Sequence, residues 1–140
     1  MEKLKLSYNL AKKAVTTLGE SLLVLDEAKH TKNPRLILAA QDSIIQRFEY
    51  SYDSMWKFLK RYLEIKYNII DVNSPRAVFR ACTERDICST TDTDIFIAMI
   101  EDRNETTHNY DAEEVREILP NIPVYYYHMD RLLTHLNAQL

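Results

Sequence analysis

Hydrophobic residues recur at helical spacing along most of the chain. In the first segment the spacing between them alternates between four and three residues, at Leu4, Tyr8, Ala11, Val15, Leu18, Leu22 and Leu25. This spacing places one apolar face on a helix, so the pattern predicts an amphipathic helix from Leu4 to near His30. A second apolar stripe runs from Leu38 to Tyr62 and continues to about Tyr67 without Gly or Pro. It predicts a helix roughly 50 Å long that forms the spine of the domain.

The breaks between these stripes carry helix-start signals. Asn33-Pro34 and Ser74-Pro75 each pair a capping side chain with a proline suited to a first helical turn. They predict the start of the spine helix and of a short helix that ends near Glu84. Thr90–Asp94 supplies cap candidates for a further helix that contains Phe96.

The C-terminal part predicts an interrupted helix. We expect Asp111 to start the last helical segment and Pro120 and Pro123 to disturb it, because an interior proline removes a helical hydrogen bond. The apolar stripe resumes at Tyr126, so we expect a kink or a short restart. Helices with one apolar face and short loops predict an all-α fold, an up-and-down four-helix bundle with an additional short helix, in a single domain over residues 1–140.

Composition and charge narrow the classes of function. The chain has one Gly and four Pro in 140 residues, which favours helices over strands and tight turns. A net charge of −3 argues against a basic coat for nucleic acid, so any RNA contact must be local, and we expect no DNA binding. No apolar run is long enough for a membrane span, and we expect a cytoplasmic protein.

Cysteine and histidine spacing predicts no metal site or cofactor. Cys82 and Cys88 lack the C-x-x-C spacing and a neighbouring histidine, so they are interpreted as reduced, partly buried thiols. His30, His128 and His135 show no ligand spacing and are interpreted as surface or boundary residues.

The segment from Arg103 to Tyr110 holds the strongest candidate chemistry. Arg103 continues the apolar face of the preceding helix, where a guanidinium needs an anion such as phosphate. In a continuous helix Arg103 and His108 would lie about 140° apart. The following cap candidate at Asp111 suggests that the helix unwinds near 105–107, and in that case both side chains can converge on one cleft.

Such a pair suits metal-independent RNA cleavage. His108 could take the proton from a ribose 2′-hydroxyl while Arg103 holds the phosphate that this hydroxyl attacks. The reaction uses two acid–base groups, and a two-fold dimer would supply the second histidine. The alternative is that Arg103 only stabilises the C-terminus of the helix, where a cation is favoured, and that His108 and Tyr110 are ordinary loop residues.

Other polar residues are candidates for supporting roles. Glu49 could be a half-buried carboxylate that orients a cation, either Arg103 or a lysine. The alternative is a charge at the boundary of the core that reaches water. Arg76, Arg80 and Lys57 could form a basic rim for RNA or an acidic partner, although each alone is typical of solvated surface charge.

The motif Arg103-x4-His108-x-Tyr110 resembles the R-x4-H-x-Y signature of HEPN-domain toxins, the partners of minimal nucleotidyltransferase antitoxins. Members of this subgroup are also described as nucleotidyltransferase substrate-binding proteins. The resemblance extends to an ordered set of landmarks: Ile45–Tyr50, Trp56-Lys57, Ser74–Arg76 and Glu101–Asn104.

The resemblance implies a HEPN-like homodimer with the motif in the dimer cleft and a type VII-like toxin–antitoxin function. Arg103 and His108 would be the catalytic residues of a metal-independent endoribonuclease, with Asn104 in support. The partner minimal nucleotidyltransferase would neutralise it by transferring AMP to Tyr110. The alternative is a non-catalytic nucleotide- or substrate-binding subunit of a two-component nucleotidyltransferase.

Overall fold

The chain folds into helices that pack side by side. The computed structural model describes residues 1–108 and 112–140, apart from the side chain of His108. Its elements are α1 (Glu2–Thr31), α2 (Pro34–Tyr67), α3 (Pro75–Glu84), α4 (Thr90–His108), α5 (Ala112–Arg116), a 3₁₀ turn (Leu119–Asn121) and α6 (Ile122–Asn137). There is no strand in these two ranges. The all-α prediction is confirmed.

Two of the predicted helix starts are capped as expected. The Asn33 side chain accepts a hydrogen bond from the backbone N–H of Arg35 at 3.0 Å, and Pro34 opens α2. The Ser74 hydroxyl accepts from the N–H of Ala77 at 3.2 Å. In both cases a side-chain oxygen satisfies an N–H group that has no partner within the helix.

The start of α4 differs slightly from the prediction. The cap is Ser89, one residue before the expected Thr90–Asp94. Its hydroxyl accepts from the N–H of Asp92 at 3.0 Å, and the Asp92 carboxylate accepts from the N–H of Ser89 at 3.4 Å. This reciprocal pair resembles a capping box with Asp in place of Glu.

The expected unwinding over 105–107 is wrong, because α4 continues through this turn to His108. The hydroxyls of Thr106 and Thr107 donate to the carbonyl oxygen of Arg103 at 2.8 and 3.3 Å. Threonine side chains commonly make such bonds to the preceding turn of a helix, and no Gly or Pro interrupts the segment.

The predicted interruption near the C-terminus is confirmed. Pro120 lies in the first positions of the 3₁₀ turn and Pro123 in the first turn of α6, where a missing N–H breaks no helical hydrogen bond. The predicted start at Asp111 lies outside the described residues, and α5 begins at Ala112.

The core lies between α1, α2, α4 and α6, with α3 packed against α2 and α4. Fully buried side chains from these five helices fill it, among them Leu18, Phe48, Phe58, Phe79, Phe96 and Met129. Gly19, the only glycine in the chain, lies on α1 beneath the Tyr126 ring of α6. A Cβ atom at Gly19 would be 2.7 Å from that ring. Within the described ranges, no helix has the length and apolar character needed to cross a membrane.

Candidate active site at the end of helix α4

The guanidinium of Arg103 lies between α4 and α2 and contacts two carboxylates of α2. Its Nη1 is 2.8 Å from Oε2 of Glu49, and its Nη2 is 3.7 Å from Oδ2 of Asp53. The Arg103 side chain is 17% exposed, so it is largely desolvated. The anions that balance it in this structure are therefore carboxylates of the chain itself.

Two hydroxyls of α4 fix the guanidinium further. Nη1 of Arg103 donates to Oγ1 of Thr106 at 3.0 Å and to Oγ1 of Thr107. Because both threonines also bond to the Arg103 carbonyl, the last turn of α4 and the guanidinium form one hydrogen-bonded unit. Such an arrangement restricts the rotamers that the long side chain can adopt.

The ring of Tyr52 supports this unit from α2. The Arg103 guanidinium carbon is 5.9 Å from the ring centroid, within the range of a cation–π contact. Burial, and secondarily the charge of Asp53, raise the pKa of Tyr52 to about 12, while Arg103 and Arg76 act in the opposite direction. The phenol therefore stays neutral at physiological pH.

The remaining motif residues are only partly described. Asn104 is exposed on α4. The side chain of His108 and the whole of Tyr110 lie outside the described residues. Since α4 is continuous, positions 103 and 108 face directions about 140° apart around its axis. Convergence of both groups within one chain, as expected from unwinding, is thus not supported, and their catalytic roles stay predictions.

The ion pair expected between Glu49 and Arg103 is present, although its role in function stays a prediction. Sequence reasoning missed Asp53 and Tyr52. Asp53 lies one helical turn after Glu49, so the spacing of four residues could have indicated a second carboxylate on the same face of α2. Tyr52 lies within the apolar stripe of α2, and that pattern gives no sign of a contact with an arginine.

The predicted basic residues line two clefts. Arg76 and Arg80 line a shallow cleft of about 380 Å³ beside α3, together with Glu84. Lys57 lines a different cleft, of about 400 Å³, between α1 and α2. A basic rim formed by all three, and its contacts with RNA or a partner, stay predictions.

A second ionic cluster lies at the other end of α4. Oδ1 of Asp92 is 2.7 Å from Nδ1 of His128 and 2.6 Å from Nη2 of Arg131, both on α6. Burial tends to raise the pKa of Asp92, but hydrogen bonds from His128, Ser89 and Arg131 outweigh this effect and lower it. His128 lies at the boundary of the core with its side chain 13% exposed, but its pairing with Asp92 was not predicted.

The cysteines and possible metal ligands add no further cluster. Cys82 and Cys88 are buried free thiols. Among the described residues, no group of three or more His, Cys, Asp or Glu side chains is arranged to hold a metal ion.

Both the sequence and the fold are similar to those of known proteins. Residues 6–138 match the family described as nucleotidyltransferase substrate binding protein like. The fold is similar to that of a protein from Thermus thermophilus whose crystal structure is known, with a TM-score of 0.74 and 30% sequence identity. The alignment covers 90% of this chain and 98% of that chain. No curated protein matches the chain significantly.

Proposed function

The chain belongs to the nucleotidyltransferase substrate binding protein-like family, and we propose that it is the ribonuclease toxin of a pair whose antitoxin is a minimal nucleotidyltransferase. The name of the family supports a nucleotidyltransferase as partner. The HEPN-like motif of Arg103, His108 and Tyr110 supports the finer assignment to a toxin.

The held guanidinium of Arg103 is the observation that carries the proposal. Glu49 and Thr106 orient it between two helices, and Asp53, the longer and more exposed contact, is the anion that a phosphate can displace. A cation that is already oriented costs little reorganisation when negative charge develops on a phosphate. The carboxylates beside it are 30% and 43% exposed, so a phosphodiester can approach this place from solvent.

The chemistry needs two copies of the chain. In the proposed homodimer, His108 of one copy removes the proton from the ribose 2′-hydroxyl, whose oxygen then attacks the adjacent phosphorus. The 5′-oxygen leaves and takes a proton from the second His108, while Arg103 stabilises the charged phosphate oxygens. The products are a 2′,3′-cyclic phosphate and a 5′-hydroxyl, and the reaction requires no metal.

AMP transfer to Tyr110 would neutralise this site. Tyr110 follows His108 by two residues, so an attached AMP would add bulk and negative charge beside the catalytic groups. A negative phosphate at this place would repel RNA and compete for Arg103.

Cleavage of single-stranded RNA by the purified protein tests the proposal. We expect His108→Ala and Arg103→Ala each to lower the cleavage rate about 100-fold or more. His135→Ala is a matched control, because His135 is exposed on α6. Cleavage that survives both site substitutions, or no cleavage by the unmodified protein, would overturn the ribonuclease assignment.

The modification is tested separately by intact mass. After co-expression with the partner nucleotidyltransferase, we expect the mass to rise in whole AMP units in the natural chain and not in Tyr110→Phe. Equal addition to Tyr110→Phe would identify a different acceptor and contradict the switch.

The second candidate is a non-catalytic nucleotide- or substrate-binding subunit of a two-component nucleotidyltransferase, which is also compatible with the family description. This function predicts a stable complex with the nucleotidyltransferase and nucleotide binding that weakens in Arg103→Ala. It also predicts no RNA cleavage, which separates it from the toxin.

A further inference from the structure

A cleft between α1 and α2 lies beside the Arg103 site and has no role in the proposed cleavage. Its volume of about 400 Å³ falls in the size range of small-molecule sites. Residues from the first turns of α1 form one wall and residues from the middle of α2 form the other: Lys3, Leu6, Ser7 and Leu10, then Asp53, Ser54, Lys57 and Arg61.

The charge of this cleft differs in sign from that of the whole chain. The cations Lys3, Lys57 and Arg61 line it together with one carboxylate, Asp53, whereas the net charge of the protein is −3. Asp53 also contacts Arg103, which offsets part of its negative charge. A concave surface with a local positive charge concentrates anions from solution.

The spacing of two of these cations suits a chain of phosphates. Lys57 and Arg61 are four residues apart, so they lie one above the other on α2, about 6 Å along its axis. A lysine and an arginine separated by one helical turn can each contact a different phosphate of one strand.

The opposite wall carries two exposed leucines. Leu6 and Leu10 are 61% and 58% exposed, although large aliphatic side chains gain by burial. Ser7 and Ser54 add a hydroxyl to each wall. An occupant with a flat apolar face, polar edges and negative charge matches these surfaces, and a nucleotide has all three.

The cleft adjoins the candidate active site at Asp53. Asp53 lines the cleft, and its Oδ2 is 3.7 Å from Nη2 of Arg103. A strand whose scissile phosphate reaches Arg103 would therefore place a neighbouring nucleotide in the cleft.

We propose that the α1–α2 cleft binds one nucleotide of a single-stranded RNA, with its phosphates on Lys57 and Arg61 and its base on Leu6 and Leu10. This proposal rests on RNA as the substrate, as in the proposed function. It adds a binding subsite that is separate from the groups that perform cleavage.

Binding of a short 2′-fluoro RNA oligonucleotide tests the subsite without cleavage, because the attacking hydroxyl is absent. We expect Lys57→Gln/Arg61→Gln to weaken binding about tenfold and to reduce the slope of log K against log salt by about 1.4. Lys5→Gln/Lys66→Gln is the matched control, since it removes the same charge at exposed positions outside the cleft. It should change neither quantity.

The contribution of the two leucines is tested by Leu6→Ala/Leu10→Ala. We expect several-fold weaker binding and an unchanged salt slope, because no charge is removed. Both side chains are exposed, so the fold should persist, and circular dichroism on each variant checks this.

Several outcomes would overturn the subsite. The first is that the oligonucleotide does not bind, and the second is that the cleft and control variants bind it with equal affinity. The third is that free AMP displaces the oligonucleotide as effectively as a second oligonucleotide does. The last result would identify a site for free nucleotides.

Cleavage assays separate the subsite from the proposed nuclease. If the protein cleaves RNA but the cleft variants bind like the control, the subsite fails and the nuclease stands. If binding depends on the cleft and no RNA is cleaved, the subsite stands and the nuclease fails.

Discussion

The two ends of α4 carry ionic clusters of opposite composition. At the N-terminal end one carboxylate, Asp92, pairs with two cations, His128 when protonated and Arg131. At the C-terminal end one cation, Arg103, contacts two carboxylates, Glu49 and Asp53. Each central charge suits the helix dipole at its end, because an acid is favoured at the N-terminus and a cation at the C-terminus.

The clusters differ most in exposure. The Asp92 side chain is 12% exposed and also bonds to the Ser89 backbone, so its acceptor sites are occupied from several directions. Glu49 and Asp53 are 30% and 43% exposed, so water or another anion can reach the place where they contact Arg103. Similar groups therefore join two helices at one end of α4, and at the other end they hold a cation in a setting more open to solvent.

Asp92→Asn should have the largest effect on stability. The substitution leaves His128 and Arg131 without their anion and weakens the cap of α4, and we expect a loss of about 2 kcal/mol in the free energy of unfolding. Urea denaturation measures this change. Asp94→Asn, at an exposed position of the same turn, should change it by less than about 0.5 kcal/mol. Equal changes in the free energy of unfolding for the two substitutions would contradict a role of Asp92 in holding α4 and α6 together.

The pH dependence of the same cluster should be the next largest effect. Because the folded state lowers the pKa of Asp92, the carboxylate contributes stability above its unfolded pKa of about 4 and loses that contribution as the pH falls through the folded value. The difference in unfolding free energy between the natural chain and Asp92→Asn should therefore narrow below about pH 4. A difference that stays constant down to about pH 2 would contradict the lowered pKa.

Glu49→Gln should have the smallest effect on stability. The pair with Arg103 is partly exposed, so we expect a change in unfolding free energy of less than about 1 kcal/mol. The cleavage rate should nevertheless fall about tenfold, because the guanidinium loses its nearest orienting anion. Asp53→Asn, which removes the longer contact, should reduce the rate less. A loss of stability as large as that of Asp92→Asn would show that the ionic clusters at both ends of α4 hold it to the neighbouring helices.

Local signals explain why much of the fold could be predicted. Asn33-Pro34 and Ser74-Pro75 marked two helix starts, and Pro120 and Pro123 marked the restart before α6. These features depend on residues within one turn of each other, so a sequence pattern contains them.

The sequence did not predict where α4 ends, nor the contacts between residues that lie far apart in the chain. At the end of α4, the helix continues through residues 105–107 to His108, and the expected unwinding does not occur. His128 meets Asp92 across 36 residues of sequence, and no local pattern shows such a pair. The position of Arg103 near a helix end was predicted correctly, whereas its contact with Asp53 required the packing of α4 on α2.

The close approach at Gly19 fixes how far α6 can slide along α1. The Tyr126 ring occupies the space that a Cβ atom would take, and each neighbouring position on α1 carries a side chain. Moving α6 in either direction would press the ring against one of those side chains. The absence of a side chain at Gly19 thus lets α6 pack closely on α1 at the level of Tyr126, and the pair of Asp92 and His128 joins α6 in turn to α4.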